Sequence, residues 1–557
     1  MDRSARRSRL LIAGTLALFL LRFALSLIRT GPVLVADEIG YLTNARVLDG
    51  GVPGQLELAP FYRGGYSLLI TPLLELGGSP GFTYHLVLVL NAVLAASVFP
   101  LLYLLLTRFG GVRPGLAIWA AFAGALYPAL TVLSQVAMSE NALFPLVVLW
   151  LIAFAGLLQE PRKGSDFAWA AALGAATGAL WAVHNRMFVA VALALAGMAW
   201  LTLRGRLRPA ALALGVAVVA LCLYGVHVLD GYLIDHNYGG SAPDELSERM
   251  DEIFAFGGLR TVVANLVGQT WYLLVATFGL AAIAVADFAR RRPPLTGVLL
   301  ALTALLLLVS AAAFPERTRP DMLIYGRYVE VVAPALIAFG LAALPQVRSS
   351  FVPDSGKKLD HTPSWRRLAW PPAAFAGLTA LVVLIRATAS DPDAPNRWNI
   401  SALPFVTVQL GPAILVGAAV VALAGAWLLT QASGRGERVL GLAAIALFLP
   451  VLAYGAWNPV RSSERAVYPA GWEDPGPVVE NAGSPPVAYD LDHYDTIGLY
   501  APQWFLPDSR VVLFESSKEA APSNLVISGG AWKRERPAAL QLWRDAGRDQ
   551  VLWRLAE

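Results

Sequence analysis

LLIAGTLALFLLRFALSLI, residues 10–28, followed after a short break by ADEIGYLTNARVL, residues 36–48, is the stretch that decides which solvent this chain folds in. About 20 apolar residues carry a helix across a bilayer, because in hydrocarbon every backbone N–H and C=O must be satisfied within the segment. The first run is long enough to cross. No small-residue cleavage site follows it, so it reads as a retained first membrane helix. Arg3, Arg6, Arg7 and Arg9 ahead of it place its N-terminus inside. Arg22, within the run, needs a partner or a route to the interface; the sequence names neither.

The rest of the chain agrees with this beginning. Of its 557 residues, 56% are hydrophobic and 15% charged, and the mean hydropathy of +0.56 excludes an ordinary soluble protein. A net charge of +4 does not point to nucleic acid, because no basic stripe is interleaved with aromatics. The arginines fall instead in short clusters between apolar runs, where topology determinants belong. Cys222, the single cysteine, lies inside an apolar run and reads as packing.

Apolar segments begin near residues 10, 82, 114, 141, 167, 187, 209, 271, 295, 329, 371, 409 and 439, which predicts about 13 spans. With the N-terminus inside, every inside connection is basic: Arg108 and Arg113; Arg162 and Lys163; Arg204, Arg206 and Arg208; Arg290, Arg291 and Arg292; Lys357, Lys358, Arg366 and Arg367; Arg435 and Arg438. The outside connections are poorer in Lys and Arg and include the acidic stretch from Asp230 to Glu252. An odd number of spans puts the C-terminus outside. The expected fold class is thus an α-helical polytopic membrane protein, with residues 1–457 as the transmembrane domain and residues 458–557 as a small extracytoplasmic α/β domain.

Three outer pieces are long enough to fold. Residues 29–81 contain Asp37-Glu38 and the Pro/Gly-punctuated Pro60-Phe61-Tyr62-Arg63-Gly64-Gly65-Tyr66. Residues 230–270 open with turn chemistry and continue as an amphipathic segment suited to a lid. In the last piece, Pro486–Tyr489, Arg510–Phe514 and Leu525–Ser528 have strand patterns and Arg536–Ala546 a helical one. Trp472, Tyr489, Tyr494 and Trp504 there are either glycan-stacking platforms or core. No internal repeat is present.

Ionisable residues at membrane depth are costly and are kept where they serve a cavity or a partner. Asp37 and Glu38 stand just beyond the first span, where a carboxylate can take a proton from an attacking hydroxyl; solvated acids at membrane edges are also common. Glu140, after Ser139 in a very short outer connection, is an acceptor or cation contact, or simply a carboxylate favoured at a helix N-terminus. His184-Asn185-Arg186 forms a tight outer turn in which the guanidinium suits a phosphate or snorkels as an anchor. His184 has no second His or Cys at metal-ligand spacing. In Tyr325-Gly326-Arg327-Tyr328-Val329-Glu330, preceded by Glu316-Arg317-Thr318-Arg319-Pro320-Asp321, Arg327 is bracketed by tyrosines with Glu330 as a counter-ion one turn on. That segment makes a phosphate site, or an aromatic and basic interfacial belt.

Together these positions resemble the GT-C superfamily of membrane glycosyltransferases, in particular the branch of protein O-mannosyltransferases and the aminoarabinose transferase of lipid A. ADEIGYLTNARVL is similar to the acidic motif of the family's first outer loop. FYRGGYSLLITPL, Phe61 to Leu73, is similar to that branch's approach to the second span, although Arg63-Gly64 stands where Pro-Pro is frequent. Ser139-Glu140, Arg186 and Tyr325-Gly326-Arg327-Tyr328 match its second acidic position, its middle arginine and its late Arg-Tyr element. The resemblance covers residues 10–345 and is topological beyond.

The resemblance implies a sugar donor on polyprenyl phosphate, an acceptor arriving from outside, and an inverting displacement with an acid of the first outer loop as base. Asp37 is then the base and Glu38 its assistant. Arg186 and Arg327, with Tyr325 and Tyr328, bind the donor phosphate; Glu140, His184 and Tyr66 contact the acceptor or a cation. Asp37 and Glu140 offer hard oxygen ligands, so Mg²⁺ or Mn²⁺ stays open. The acceptor is a glycan, glycolipid or protein of the cell envelope, and the compartment a bacterial plasma membrane. A transporter or flippase of lipid-linked sugars is the first rival, disfavoured by the lack of repeats. A non-enzymatic envelope-assembly scaffold is the second, and it leaves the charged outer positions unexplained.

Overall fold

A computed structural model describes residues 3–33, 36–56, 59–159, 165–240, 258–315, 317–349, 364–391, 396–403, 405–406, 411–469, 471–493, 502–532, 538–545 and 549–555. The Arg162–Lys163 and Lys357–Lys358 connections, Glu316, Tyr494 and most of the acidic stretch lie outside the described residues, as do the side chains of Arg366 and Arg367.

Nine helices among the described residues are long and apolar enough to cross a membrane. They are α1 (Arg3–Ser26), α4 (Pro80–Leu104), α7 (Glu140–Leu158), α8 (Ser165–Val183), α9 (Phe188–Leu203) together with the helical turn Asn185–Met187 ahead of it, α10 (Pro209–Asn237), α13 (Pro294–Ala312), α16 (Pro412–Ser433) and α17 (Glu437–Val467). The pair α11 (Gly258–Ala276) and α12 (Leu280–Arg291) is bent by 99°. Shorter apolar helices are α5 (Pro114–Ala125), α14 (Ala333–Ser349) and α15, whose apolar part is Pro372–Ala387 within Ser364–Ala387. The chain is a multi-pass membrane protein. Small residues let its helices approach closely: a Cβ on Gly178 of α8 would lie 2.2 Å from Cys222 Cβ of α10, so Cys222 is packed there.

Each apolar run marked in the sequence carries one of these helices, with two differences. The run from residue 114 stops at Ala125, because Pro128 has no N–H with which to continue it, and resumes as α6 (Pro128–Leu133) and a buried irregular segment up to Ser139. Side chains satisfy the backbone groups this break frees. Arg22 Nη2 donates to Ala125 O at 2.8 Å, and Asn91 and Asn141 both donate to Val136 O. Arg22 thereby finds the partner that the sequence withheld. The run from residue 271 is one part of the bent pair, broken at Phe278 and Gly279, both at positive φ.

That second difference reshapes the outer piece expected at 230–270. Its first residues belong to α10 and its last to α11, while the lid segment between them, 241–257, lies outside the described residues. The first outer piece contains two helices, α2 (Asp37–Leu48) and α3 (Gly64–Gly77). In α2 the first turn is acidic and the last basic, at Arg46, which complements the helix dipole.

The last membrane helix, α17, runs on to Val467 and is clamped to the end of α1. Arg29 Nη1 donates to Val460 O at 3.1 Å and faces Glu464, which accepts from Thr30 N at 2.8 Å. Tyr468 O–H donates to Pro32 O at 2.8 Å.

Beyond α17, a short helix α18 (Gly476–Glu480) and five strands, β1 (Val487–Asp490), β2 (Val511–Phe514), β3 (Leu525–Gly529), β4 (Leu540–Asp545) and β5 (Gln550–Arg554), make one sheet in the order β2-β1-β3-β5-β4. β1 is parallel to β2 and β3; β5 is antiparallel to β3 and β4. The three expected strands are present. Within Arg536–Ala546, the range expected to be helical, Leu540–Asp545 is instead the edge strand β4, tied to β5 with a bulge at Gln541/Trp543; residues 536, 537 and 546 lie outside the described residues. Apolar residues of β1 alternate between cores on the two faces, Tyr489 on one and Ala488 on the other. Tyr489 and Trp504 are buried, which makes them packing residues.

Candidate functional site

α2 is preceded by Ala36, whose φ of 69° and ψ of −62° lie where L residues are strained by roughly 1–3 kcal/mol. That kink aims two adjacent carboxylates in different directions. Glu38 turns inward and is fully buried. It accepts from Val33 N at 2.8 Å, Tyr84 O–H at 2.6 Å and Ala137 N at 2.7 Å, joining α2, α4 and the irregular segment before α7. Asp37 faces the opposite way. Its Oδ1 accepts from Tyr62 O–H at 2.9 Å, its Oδ2 from Arg327 Nη1 at 2.6 Å, and its side chain keeps 25% of its surface exposed.

Arg327 lies on a turn between α13 and α14 that is held from two sides. Asn399 O accepts from both Gly326 N and Arg327 N at 2.8 and 3.1 Å, and Asn399 is fixed in turn by Asp321 at 2.7 Å. Gly326 is required here, since a Cβ would lie 2.0 Å from the Tyr272 ring. Arg327 reaches past Asp37 to Glu140, donating from Nε to Oε1 at 2.9 Å. Arg186 Nη1 donates to the same oxygen at 3.0 Å, and Ser139 to the other at 3.3 Å. The result is an alternating chain, Asp37–Arg327–Glu140–Arg186. Burial opposes the charge on Arg327, yet Glu140 and Asp37 hold its guanidinium well above its ordinary value, so it stays a cation.

Around the chain stand aromatic and polar walls. Arg186 lies 4.5 Å from the Tyr328 ring centroid, and its buried Nε and Nη2 have no hydrogen-bond partner among the described residues. Tyr325 and His184 each pack against Tyr328. Burial, then Arg186 and Arg327, push His184 well below its ordinary value; its Nδ1 accepts from Arg186 N at 3.2 Å, so the ring is neutral and shapes the turn. Tyr41 donates to Ser139 at 2.8 Å, and Tyr66 sits behind Tyr41, fully buried and donating to Asn91 at 2.9 Å.

The structure therefore brings Asp37, Glu140, Arg186, Arg327, Tyr325, Tyr328 and His184 together, and leaves Glu38 and Tyr66 one layer behind. Glu330 is not the counter-ion of Arg327 expected from helix spacing. It accepts from Tyr272 O–H and from Ala402 N, the latter at 3.0 Å, because the turn before α14 points Arg327 at Asp37 and Glu140. Tyr62 was missed as a site residue although its string was conspicuous; an interfacial tyrosine carries no mark of its partner. Among the described residues no group of three His, Cys, Asp or Glu is placed to hold a metal ion. An Mg²⁺ or Mn²⁺ shared by Asp37 and Glu140 requires Arg327 to leave its place between them, so no step is derived through a metal.

The sequence matches no family model and no curated protein. Solved structures do match. The ArnT of Cupriavidus metallidurans bound to undecaprenyl phosphate is similar with a TM-score of 0.57 at 15% identity, covering 99% of this chain and 98% of that one. The same protein in its apo state gives a TM-score of 0.51 at 14% identity, with the same coverage. At such identities the likeness speaks for the fold alone: the chain shares the architecture of that membrane protein over nearly its whole length.

Proposed function

We propose that the chain is a GT-C glycosyltransferase that moves a sugar from a polyprenyl-phosphate carrier to an acceptor hydroxyl on the extracytoplasmic face of a bacterial plasma membrane. The observation that carries the reading is Asp37. It is the one partly exposed carboxylate in a cluster whose other acid, Glu140, is wholly buried between two arginines. The similar ArnT structure, solved with undecaprenyl phosphate, supports a lipid-phosphate donor.

In the proposed reaction the acceptor oxygen bonds to the anomeric carbon from the side opposite the phosphate. The bond from that carbon to the phosphate oxygen breaks with its electron pair, inverting the centre. Asp37 takes the acceptor proton, oriented by Tyr62. Arg327, always charged, and Arg186, whose Nε and Nη2 are not engaged, offer donors to the anionic phosphate as it leaves. When the phosphate draws Arg327 away, the Asp37 oxygen that accepted from it is released to face the acceptor hydroxyl. Donor binding and release of the base are then one event.

Purified protein given a labelled polyprenyl-phosphate sugar and an envelope glycan acceptor tests this. Asp37→Asn is expected to lower turnover by about 10²–10⁴-fold while donor binding persists. Full turnover in that variant removes Asp37 as the base, and translocation without transfer in the wild type favours the flippase reading.

A further inference from the structure

A cavity lies at the end of α7 away from Glu140, among exposed arginines. It measures about 270 Å³ and is walled by the inner end of α7, the Phe109–Arg113 turn, the α12–α13 corner and the last turns of α14. Its lining is divided. Leu116, Ala155, Leu158, Phe339 and Ala342 make an apolar side, and Arg113, Gln159, Arg291 and Thr296, with the acid Asp287, a polar one.

Several features make the polar side anionophilic. Two helices, α5 and α13, start at the cavity, each with proline in its first turn. Their first intrahelical bonds run from Ala117 N and Gly297 N, so the N–H groups of Leu116, Leu295 and Thr296 at the wall are outside both ladders and on the positive ends of the dipoles. Arg291 spends Nε and Nη2 on Asp287, at 2.6 Å each, and Nη1 is not engaged in that pair. Arg113 meets Glu437 through Nη2 alone at 3.4 Å, its side chain 81% exposed at the rim. Arg108, Arg290 and Arg292 are exposed on the same face, so the acids Asp287 and Glu437 are outnumbered.

We infer that this cavity binds the headgroup of an anionic phospholipid, with the phosphate between Arg113, Arg291 and the two helix starts and the first acyl carbons against Leu116, Leu158 and Phe339. Basic pockets between membrane helices at a headgroup level recognise such lipids, and a joint apolar and polar lining fits a tethered phosphate better than a free one. The site is distinct from the sugar-transfer cluster at the other end of α7 and does not depend on it.

The test uses full-length protein in detergent, stripped of lipid and then offered phosphatidylglycerol or phosphatidylcholine, with retained lipid read by native mass spectrometry and stability by thermal unfolding. Wild type should retain phosphatidylglycerol preferentially and be stabilised by it. Arg113→Gln and Arg291→Gln, both at exposed side chains, should each reduce that preference about fivefold, and Ala342→Leu, which fills the apolar side without touching charge, should reduce it as well. Equal retention of the two lipids in wild type overturns the inference, as does an unchanged preference in all three variants. Equal stabilisation by inorganic phosphate or glycerol phosphate overturns the lipid assignment.

Discussion

The two ends of α7 meet charge in opposite ways. At Glu140 four charged side chains are linked in a fixed order, three of them buried and Asp37 partly exposed. At Gln159 the neighbouring arginines, Arg108 and Arg113, stay exposed. Burying charge costs several kcal/mol per ion unless geometry returns it, so the outer arrangement persists only because turns, glycine and hydrogen bonds hold it. The exposed arginines at the other end need no such support and are worth little to stability.

Removing the central cation should break this contrast most strongly. Arg327→Ala leaves Asp37 and Glu140 without their shared partner and is expected to cost about 3–5 kcal/mol, read as a fall in unfolding temperature, with lipid-phosphate donor affinity lost more than acceptor affinity. Unchanged stability would show that the chain is not a unit. Glu38→Gln comes next. It places an amide against Val33 N or Ala137 N and should cost about 1–3 kcal/mol, appearing in thermal unfolding more than in turnover per folded molecule; set against Asp37→Asn, it separates two adjacent acids into scaffold and reagent. Gly326→Ala drives a methyl into Tyr272 and is expected to cost about 1–3 kcal/mol, with donor affinity weakened through displacement of Arg327. The smallest effect belongs to the inner end, where Arg113→Gln should change stability by less than about 0.5 kcal/mol in detergent without added lipid. A loss as large as that of Arg327→Ala would erase the difference between the two ends.

The membrane helices were legible because an apolar run long enough to span leaves few alternatives. What hid were the interruptions. The stop at Ala125 is marked by Pro128, but that Arg22 would cover the freed carbonyl depends on a contact 103 residues away. In the C-terminal sheet, β4 escaped because the bulge at Gln541/Trp543 breaks the period-2 alternation that betrays a strand. At the site, Asp37, Glu140, Arg186 and Arg327 stood out as ionisable groups in apolar surroundings. Their pairing did not, since Arg327 and Asp37 are 290 residues apart. Helix periodicity suggested Glu330 for Arg327, and the turn that overrides it is set by Asn399 and Tyr272, distant residues without a local signature.

The clamp between α1 and α17 decides where this protein can be cut. Composition changes near residue 458, which invites trimming there to isolate the membrane part. Such a cut severs α17 within its last turns, removes the Val460 carbonyl and the Glu464 carboxylate, and leaves Arg29, whose side chain is wholly buried, as a bare cation a few residues ahead of Asp37. A membrane fragment ending after Val467 keeps that lock, so the two boundaries would yield unlike proteins from nearly the same stretch of gene.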